Sequence, residues 1–156
     1  MTRICVQAIV GQPAAATERL LQEYMAQRTR GDGSIALPLR TRFRAGSDDL
    51  SLAHDVVARF RKGRDFENLN DTFFVDWEPS GEGPYPTFSG TMNVYAESDP
   101  RESRLEIDGT YEAPGGMIGK IFDILIGRRM ARASLADLVE RIASDLTPVA
   151  SSATRR

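Results

Sequence analysis

Few side chains in this sequence could carry acid–base or nucleophilic chemistry. The chain has one histidine, His54, and one cysteine, Cys5. A histidine is a candidate general base because its unperturbed pKa is about 6.5. However, the sequence places no acidic partner beside His54, so an exposed or capping role is the simpler interpretation. Cys5 cannot form a disulfide within the chain, and we interpret it as a small buried side chain in a strand.

Two carboxylates, Asp76 and Glu78, lie two residues apart on one face of a predicted strand. Such a pair can do acid–base work when the two pKa values are split. The apolar residues of the same strand, among them Phe73 and Trp77, lie on the opposite face. We therefore expect the two carboxylates to face water.

Arginines at period-two spacing predict a basic outer face on two neighbouring strands, formed by Arg40, Arg42, Arg44, Arg59 and Arg61. Such a patch could bind an anionic lipid surface or RNA. A simpler alternative is that these arginines pair with acidic residues on adjacent strands. The net charge of -2, from 20 basic and 22 acidic residues, argues against a dedicated nucleic-acid binder.

Recognisable catalytic and cofactor motifs are missing from the sequence. It has no Gly-x-Ser-x-Gly nucleophile motif, and its Gly115-Gly116 pair is not set in a strand–helix–strand unit that could bind a dinucleotide. One histidine and one cysteine do not supply the usual ligand set for zinc. We therefore assign no catalytic residue, metal or cofactor. The question of an enzyme stays open, with Tyr111 and His54 as the candidates.

The periodicity of apolar residues predicts six strands and a first helix. Period-two alternation predicts strands over residues 4–10, 34–44, 54–62, 71–78, 87–97 and 103–112. Pro13 opens a predicted helix over residues 14–28. By composition, residues 46–52 predict a loop and residues 63–65 a turn. Consecutive strands with short connections predict an antiparallel meander with one apolar face.

A long amphipathic helix is predicted near the C-terminus. Its apolar stripe consists of Ala131, Leu135, Leu138, Val139, Ile142 and Leu146. Gly127 predicts a kink or a join between two helices. We expect a single domain over residues 1–147 and a disordered tail over residues 148–156. No apolar run reaches the ~20 residues that a membrane-spanning helix needs.

A sheet with one apolar face and a single long helix to cover it predicts a curved sheet around that helix. Gly90 and Gly109, on the inward face, would permit the bend. The inward and helical residues expected to line a ligand cavity are Phe43, Phe60, Phe73, Trp77, Phe88, Met92, Tyr111, Ile121 and Leu125. The alternative is that the same side chains interdigitate into a solid core.

The order of elements resembles the START-like (SRPBCC) superfamily, which includes polyketide cyclase-like and birch-pollen-allergen-like proteins. The stretch from Leu105 to Gly119 and the helix from Ala131 to Leu146 are similar to the last strand and C-terminal helix of bacterial members. The resemblance implies an α+β helix-grip fold, in which a curved antiparallel sheet wraps a long C-terminal helix. Members often have two short helices after the first strand, where this sequence predicts one.

The resemblance also implies a function, because most members bind or carry a small hydrophobic ligand and a minority catalyse. We expect binding of a lipid, sterol or polyketide-like molecule between the sheet and the helix. A cyclase- or hydrolase-type enzyme and a protein-interaction module with a filled core are the alternatives. The all-round apolar segment Ile121–Ile126 suggests a homodimer, and the single thiol fits the cytoplasm.

Overall fold

The computed structural model describes residues 2–45, 47–65, 70–80, 87–112 and 124–148. These residues form six strands and two helices. The strands are β1 (Thr2–Val10), β2 (Ser34–Ala45), β3 (Asp48–Asp65), β4 (Asn70–Pro79), β5 (Thr87–Ala96) and β6 (Ser103–Glu112). The helices are α1 (Ala14–Arg28) and α2 (Ile124–Leu146). Of the tail expected over residues 148–156, only Pro148 belongs to the described residues.

All six strands belong to one antiparallel sheet. Their order is β1-β6-β5-β4-β3-β2, so the meander β2 to β6 is completed by β1, which pairs with β6. β1 and β2 are therefore the two edges. Pro38, which has no N–H to donate, lies in β2, and an edge strand is where a sheet accommodates proline.

The sheet curves around α2. This helix lies against β1 and β6 at one edge of the sheet and against β2 at the other. A helix can contact both edges of a six-stranded sheet only if the sheet bends around it. Arg141 of α2 donates a hydrogen bond to the carbonyl oxygen of Pro38 at 2.6 Å, and the Gly11 amide after β1 donates to the Thr147 hydroxyl at 3.1 Å.

The first helix covers a second part of the concave face. α1 packs against β5, β6 and α2, with Leu21 and Met25 buried. The Thr17 hydroxyl is fully buried and lies 2.7 Å from the Ser103 hydroxyl of β6. Helix α1 is one unbroken helix with the bounds that the sequence predicted.

Two local predictions are wrong. Residues 48–52, expected to be part of a loop, begin β3, because they pair in register with residues 41–45 of β2. Residues 63–65, expected to be a turn, continue β3 against β4. Backbone pairing along the two hairpins thus outweighs the turn-forming composition. Helix α2 runs through Gly127, so of the two alternatives expected there the join between two helices is not present, and the kink stays a prediction.

The core lies between the concave face and the helices. The predicted stripe of α2 is buried along its whole length, with no member more than 6% exposed. Val56 and Ala58 of β3 and Val75 of β4 are fully buried from the sheet side. The predicted α+β helix-grip fold, a curved antiparallel sheet around a long C-terminal helix, is confirmed.

Candidate functional site

A row of three aromatic residues crosses the concave face of the sheet. Trp77 of β4 lies opposite Phe88 of β5, and Phe88 lies opposite Tyr111 of β6. Alternation along each strand turns all three side chains inward. The ring centroids of Trp77 and Phe88 are 4.7 Å apart with an interplanar angle of 31°. The exposed fractions are 2% for Trp77, 2% for Phe88 and 4% for Tyr111, so this aromatic row is closed to water.

Two glycines form the next row beside the aromatic row. Gly90 and Gly109 are directly opposite partners in β5 and β6. A Cβ atom built on Gly90 would lie 2.9 Å from the Cζ atom of Phe88, so the Phe88 ring rests on the glycine pair. The two glycines lie on the inward face, as predicted, and their lack of side chains leaves room for the Phe88 ring.

The other residues expected to line a cavity divide into three groups. Met92 is buried on the concave face, and Phe60 and Phe73 are half-buried and pack against the core. Phe43 lies in β2 and Leu125 in the first turn of α2, with only their backbones described. Ile121 lies outside the described residues. A ligand contact by any of these residues, and self-association through residues 121–126, stay predictions.

The aromatic row carries two polar groups. The indole N–H of Trp77 is buried and has no hydrogen-bond partner within the described part of the chain. Burial alone raises the pKa of the Tyr111 phenol to about 12. Tyr111 is therefore protonated at neutral pH, and it is suited to donate a hydrogen bond rather than to remove a proton. Sequence periodicity predicted both as lining residues but could not reveal that the indole lacks a partner.

The outer face of the sheet holds a charged depression of about 790 Å³. Arg59 and Arg61 of β3 lie in it beside Asp76 and Glu78 of β4. Arg61 lies 3.3 Å from the Asp76 carboxylate, which also accepts a hydrogen bond from the Ser89 hydroxyl at 2.6 Å. Cross-strand pairing of an arginine with an acid, the simpler of our two expectations, is confirmed at Arg61. Asp76 is therefore an ion-pair and hydrogen-bond partner on the sheet surface.

A second groove, of about 490 Å³, runs between the free edge of β1 and the last turns of α2. Gln7 and Ile9 line it from β1, and Glu140 and Ser144 line it from α2. Ile9 is 52% exposed. Sequence patterns do not predict this groove, because it depends on where α2 crosses the sheet edge.

The prediction that Cys5 is buried is wrong. Cys5 is exposed on the outer side of β1, because the alternation that turns Ile4 and Val6 inward turns Cys5 outward. Partial desolvation, followed by the nearby charges of Glu106 and Asp108, raises the pKa of its thiol. A raised pKa lowers the thiolate fraction, so Cys5 is not an activated nucleophile.

Other site types have no support in the described residues. No group of three or more His, Cys, Asp or Glu side chains in this part of the chain could hold a metal ion. Neither described helix combines the length and apolar character needed to cross a membrane. The His54 side chain lies outside what is described.

Comparison with known proteins finds similarity at the level of structure. No family model matches the sequence, and no curated protein matches it. TTHA0849 from Thermus thermophilus is 16% identical, with a TM-score of 0.51 over 93% of this chain and 97% of that one. The Zhui aromatase/cyclase from Streptomyces sp. R1128 is 15% identical, with a TM-score of 0.48 over 93% of each chain.

These findings bear on the fold. The similarity to the Thermus protein spans nearly the whole of both chains, so the two proteins share one architecture. The helix-grip fold expected from the sequence is the fold of this chain.

Proposed function

We propose that the protein binds a small apolar ligand between the concave face of the sheet and α2, next to the aromatic row. The observation that carries this proposal is where the helices lie. Helix α2 packs mainly on β1, β2 and β6, and α1 mainly on β5 and β6. The inward side chains of β3 and β4 therefore face a part of the interior that lies away from the main contacts of both helices.

The chemistry of this interior suits an apolar guest. Trp77, Phe88 and Met92 lie next to the glycine pair, which adds no side-chain volume to the wall. Small-molecule sites in proteins are mostly apolar and aromatic, with a few polar groups that fix orientation. The aromatic row provides that combination, because its apolar rings carry one indole N–H and one phenol.

Binding at this place requires the core to open. The members of the aromatic row are at most 4% exposed, so a ligand must displace their packing neighbours. Phe60 and Phe73 are half-buried on the same face and give the more accessible approach. We therefore expect association slower than for a preformed open pocket.

The cyclase- or hydrolase-type alternative has less support. Its best candidate among the described residues is Tyr111, whose pKa of about 12 leaves the phenol neutral at physiological pH. A phenol that stays protonated orients a ligand but does not act as a general base. No second titratable side chain among the described residues is buried beside it.

The test uses Trp77, which is the only tryptophan in the chain and lies in the site. Native mass spectrometry of the purified protein, followed by organic extraction, identifies any molecule that co-purifies. Titration with apolar probes such as sterols, fatty alcohols and aromatic ketones should shift the Trp77 emission in a saturable way and raise the melting temperature. A clean apo mass, together with no response to any probe, would favour a filled core and a protein-interaction module.

A matched pair of variants locates the binding. Phe88→Leu removes a ring from the concave face, and Phe74→Leu removes one from the outer face, where Phe74 is 38% exposed. Phe88→Leu should weaken probe binding by roughly 10-fold, as expected when about 1–2 kcal/mol of apolar contact is lost. Phe74→Leu should leave probe affinity unchanged. Equal effects of the two variants would contradict the proposed location.

A further inference from the structure

The Trp77 indole N–H is a buried donor of the concave face that the described residues leave without a partner. Buried donors without partners are rare in folded proteins, and each one requires an explanation. The buried hydroxyls of the described residues are all engaged. Thr17 bonds to Ser103, Thr72 donates to the Met92 carbonyl oxygen, Ser34 donates to Asp32, and Ser134 is engaged as well.

The other buried polar atoms without a hydrogen bond belong to charged side chains. They are Arg104 Nε, Asp137 Oδ2 and Arg141 Nε. Each of these side chains makes an ion pair: Arg104 with Glu97 at 3.3 Å, and Arg141 with Asp137 at 3.2 Å. The indole ring has a single polar atom, so Trp77 has no such second contact.

Tyr111 places a second donor on the other side of Phe88. No hydrogen bond joins its phenol to any described residue, and desolvation is the sole cause of its raised pKa. Trp77 and Tyr111 are two strands apart, a backbone separation of roughly 10 Å. A molecule lying on the Phe88 ring would therefore have a donor at each end.

The burial pattern also indicates the charge of the guest. Among the residues whose side chains are described, the buried polar ones are threonines and serines, and no charged residue is buried as a whole. A carboxylate brought into this interior would lose its hydration without gaining a cation, which is strongly unfavourable. A carbonyl or ether oxygen needs only a donor, and Trp77 and Tyr111 supply two.

We infer that the ligand of this site is a neutral, flat, apolar molecule with an acceptor oxygen that bonds to the Trp77 indole N–H, with Tyr111 as the second donor. This inference rests on the proposed function and names the class of molecule. The flat shape follows from the neighbouring rings of Trp77 and Phe88, whose centroids are 4.7 Å apart, because aromatic walls favour planar ligands. Free fatty acids and other apolar anions are excluded from the class.

Three probes of nearly equal size test the inference on the intact protein. 2-Acetylnaphthalene has a neutral acceptor, 2-ethylnaphthalene has none, and 2-naphthoate is an anion at neutral pH. Affinities are measured by equilibrium dialysis, which needs no fluorescence from Trp77. The ketone should bind about 5-fold more tightly than the hydrocarbon, the gain expected from one net hydrogen bond. The anion should bind at least about 10-fold more weakly than the ketone.

Two variants assign the preference to its donors. Trp77→Phe keeps an aromatic ring and removes the N–H, so the ratio of ketone to hydrocarbon affinity should fall towards one. Tyr111→Phe removes one hydroxyl with little change of shape, so it keeps the test decisive if Trp77→Phe does not fold. We expect it to reduce the same ratio to a smaller extent.

The outcomes separate the inference from the proposed function. The inference would be overturned if the hydrocarbon and the ketone had equal affinities, or if naphthoate bound as tightly as the ketone. Binding of apolar molecules would still stand in either case. An unchanged ketone preference in both variants would overturn the assignment of the donors. Absence of binding by all three probes would count against the proposed function, and the inference would fall with it.

Discussion

Gly90 and Gly109 face each other across β5 and β6, and neither position has room for a side chain. A Cβ atom on Gly90 would lie 2.6 Å from the Gly109 Cα atom and would also meet the Asp108 carbonyl oxygen. The obstruction is backbone, which cannot rotate away. The glycine pair therefore allows the two strands to approach while Phe88 lies across them.

Substituting either glycine by alanine should destabilise the fold. Gly90→Ala and Gly109→Ala should each lower the free energy of unfolding by about 2 kcal/mol, because the added methyl group forces two paired strands apart. Urea denaturation followed by circular dichroism measures the change. Gly31→Ala is the matched control, since a Cβ there meets nothing within 4 Å. An equal loss in the control would contradict this explanation.

Tyr111 should make stability fall at alkaline pH. Its pKa is raised from 10.0 to about 12 in the folded state, so below pH 10 both the folded and unfolded states keep the proton. Between pH 10 and 12 the unfolded state loses its proton first, and the free energy of unfolding decreases. The full loss is roughly 2–3 kcal/mol. Tyr111→Phe should remove this part of the pH dependence, measured by denaturation at pH 8 to 12. A variant with the wild-type slope would count against the assignment.

Arg141 ties the edge strand β2 to α2. Its guanidinium donates to the Pro38 carbonyl oxygen and pairs with Asp137 in the same helix. Arg141→Ala should cost about 1–2 kcal/mol, since a charge-assisted hydrogen bond is lost at a half-exposed site. Hydrogen exchange of the β2 amides should also become faster. Arg101→Ala, which breaks only the local pair with Asp99, should change stability by less than about 0.5 kcal/mol. Unchanged exchange in β2 would argue against the tie.

The buried hydroxyl pair of Thr17 and Ser103 joins α1 to β6. Thr17→Val removes one partner and leaves the Ser103 hydroxyl buried without a bond, at a cost of about 1–3 kcal/mol. Adding Ser103→Ala removes the hydroxyl that lost its partner, so the double variant should be more stable than Thr17→Val alone. A double-mutant cycle from thermal unfolding measures the coupling. Simple additivity of the two changes would show that the pair does not act as a unit.

Periodicity predicted most of the framework. The bounds of α1 and β6 are those expected from sequence, because each has a continuous apolar pattern and flanking residues that end it. The inward position of Trp77 and Phe88 follows from strict alternation. The curvature, which no single strand encodes, was expected because one apolar sheet face has a single long helix to cover it, and the family resemblance implied the same bend.

Other features depend on neighbours that sequence does not reveal. The start of β3 was missed because Asp48 and Asp49 are typical loop residues until they pair with β2. Burial of Cys5 was predicted from its small apolar side chain, but its position between the inward-facing Ile4 and Val6 turns it outward. The missing partner of the Trp77 indole becomes visible only when the surrounding side chains have positions.

The pairing of β1 with β6 has a consequence for how the chain folds. The register joins Arg3 to Thr110 and Val10 to Ser103, so β1 is completed by β6, which is synthesised much later. At a synthesis rate of roughly 5–20 residues per second, β1 emerges several seconds before its partner exists. During that interval its apolar side chains and unpaired backbone can associate with other chains. Closure of this long loop is therefore the expected slow step of folding, and the newly made β1 is where chaperones would be needed.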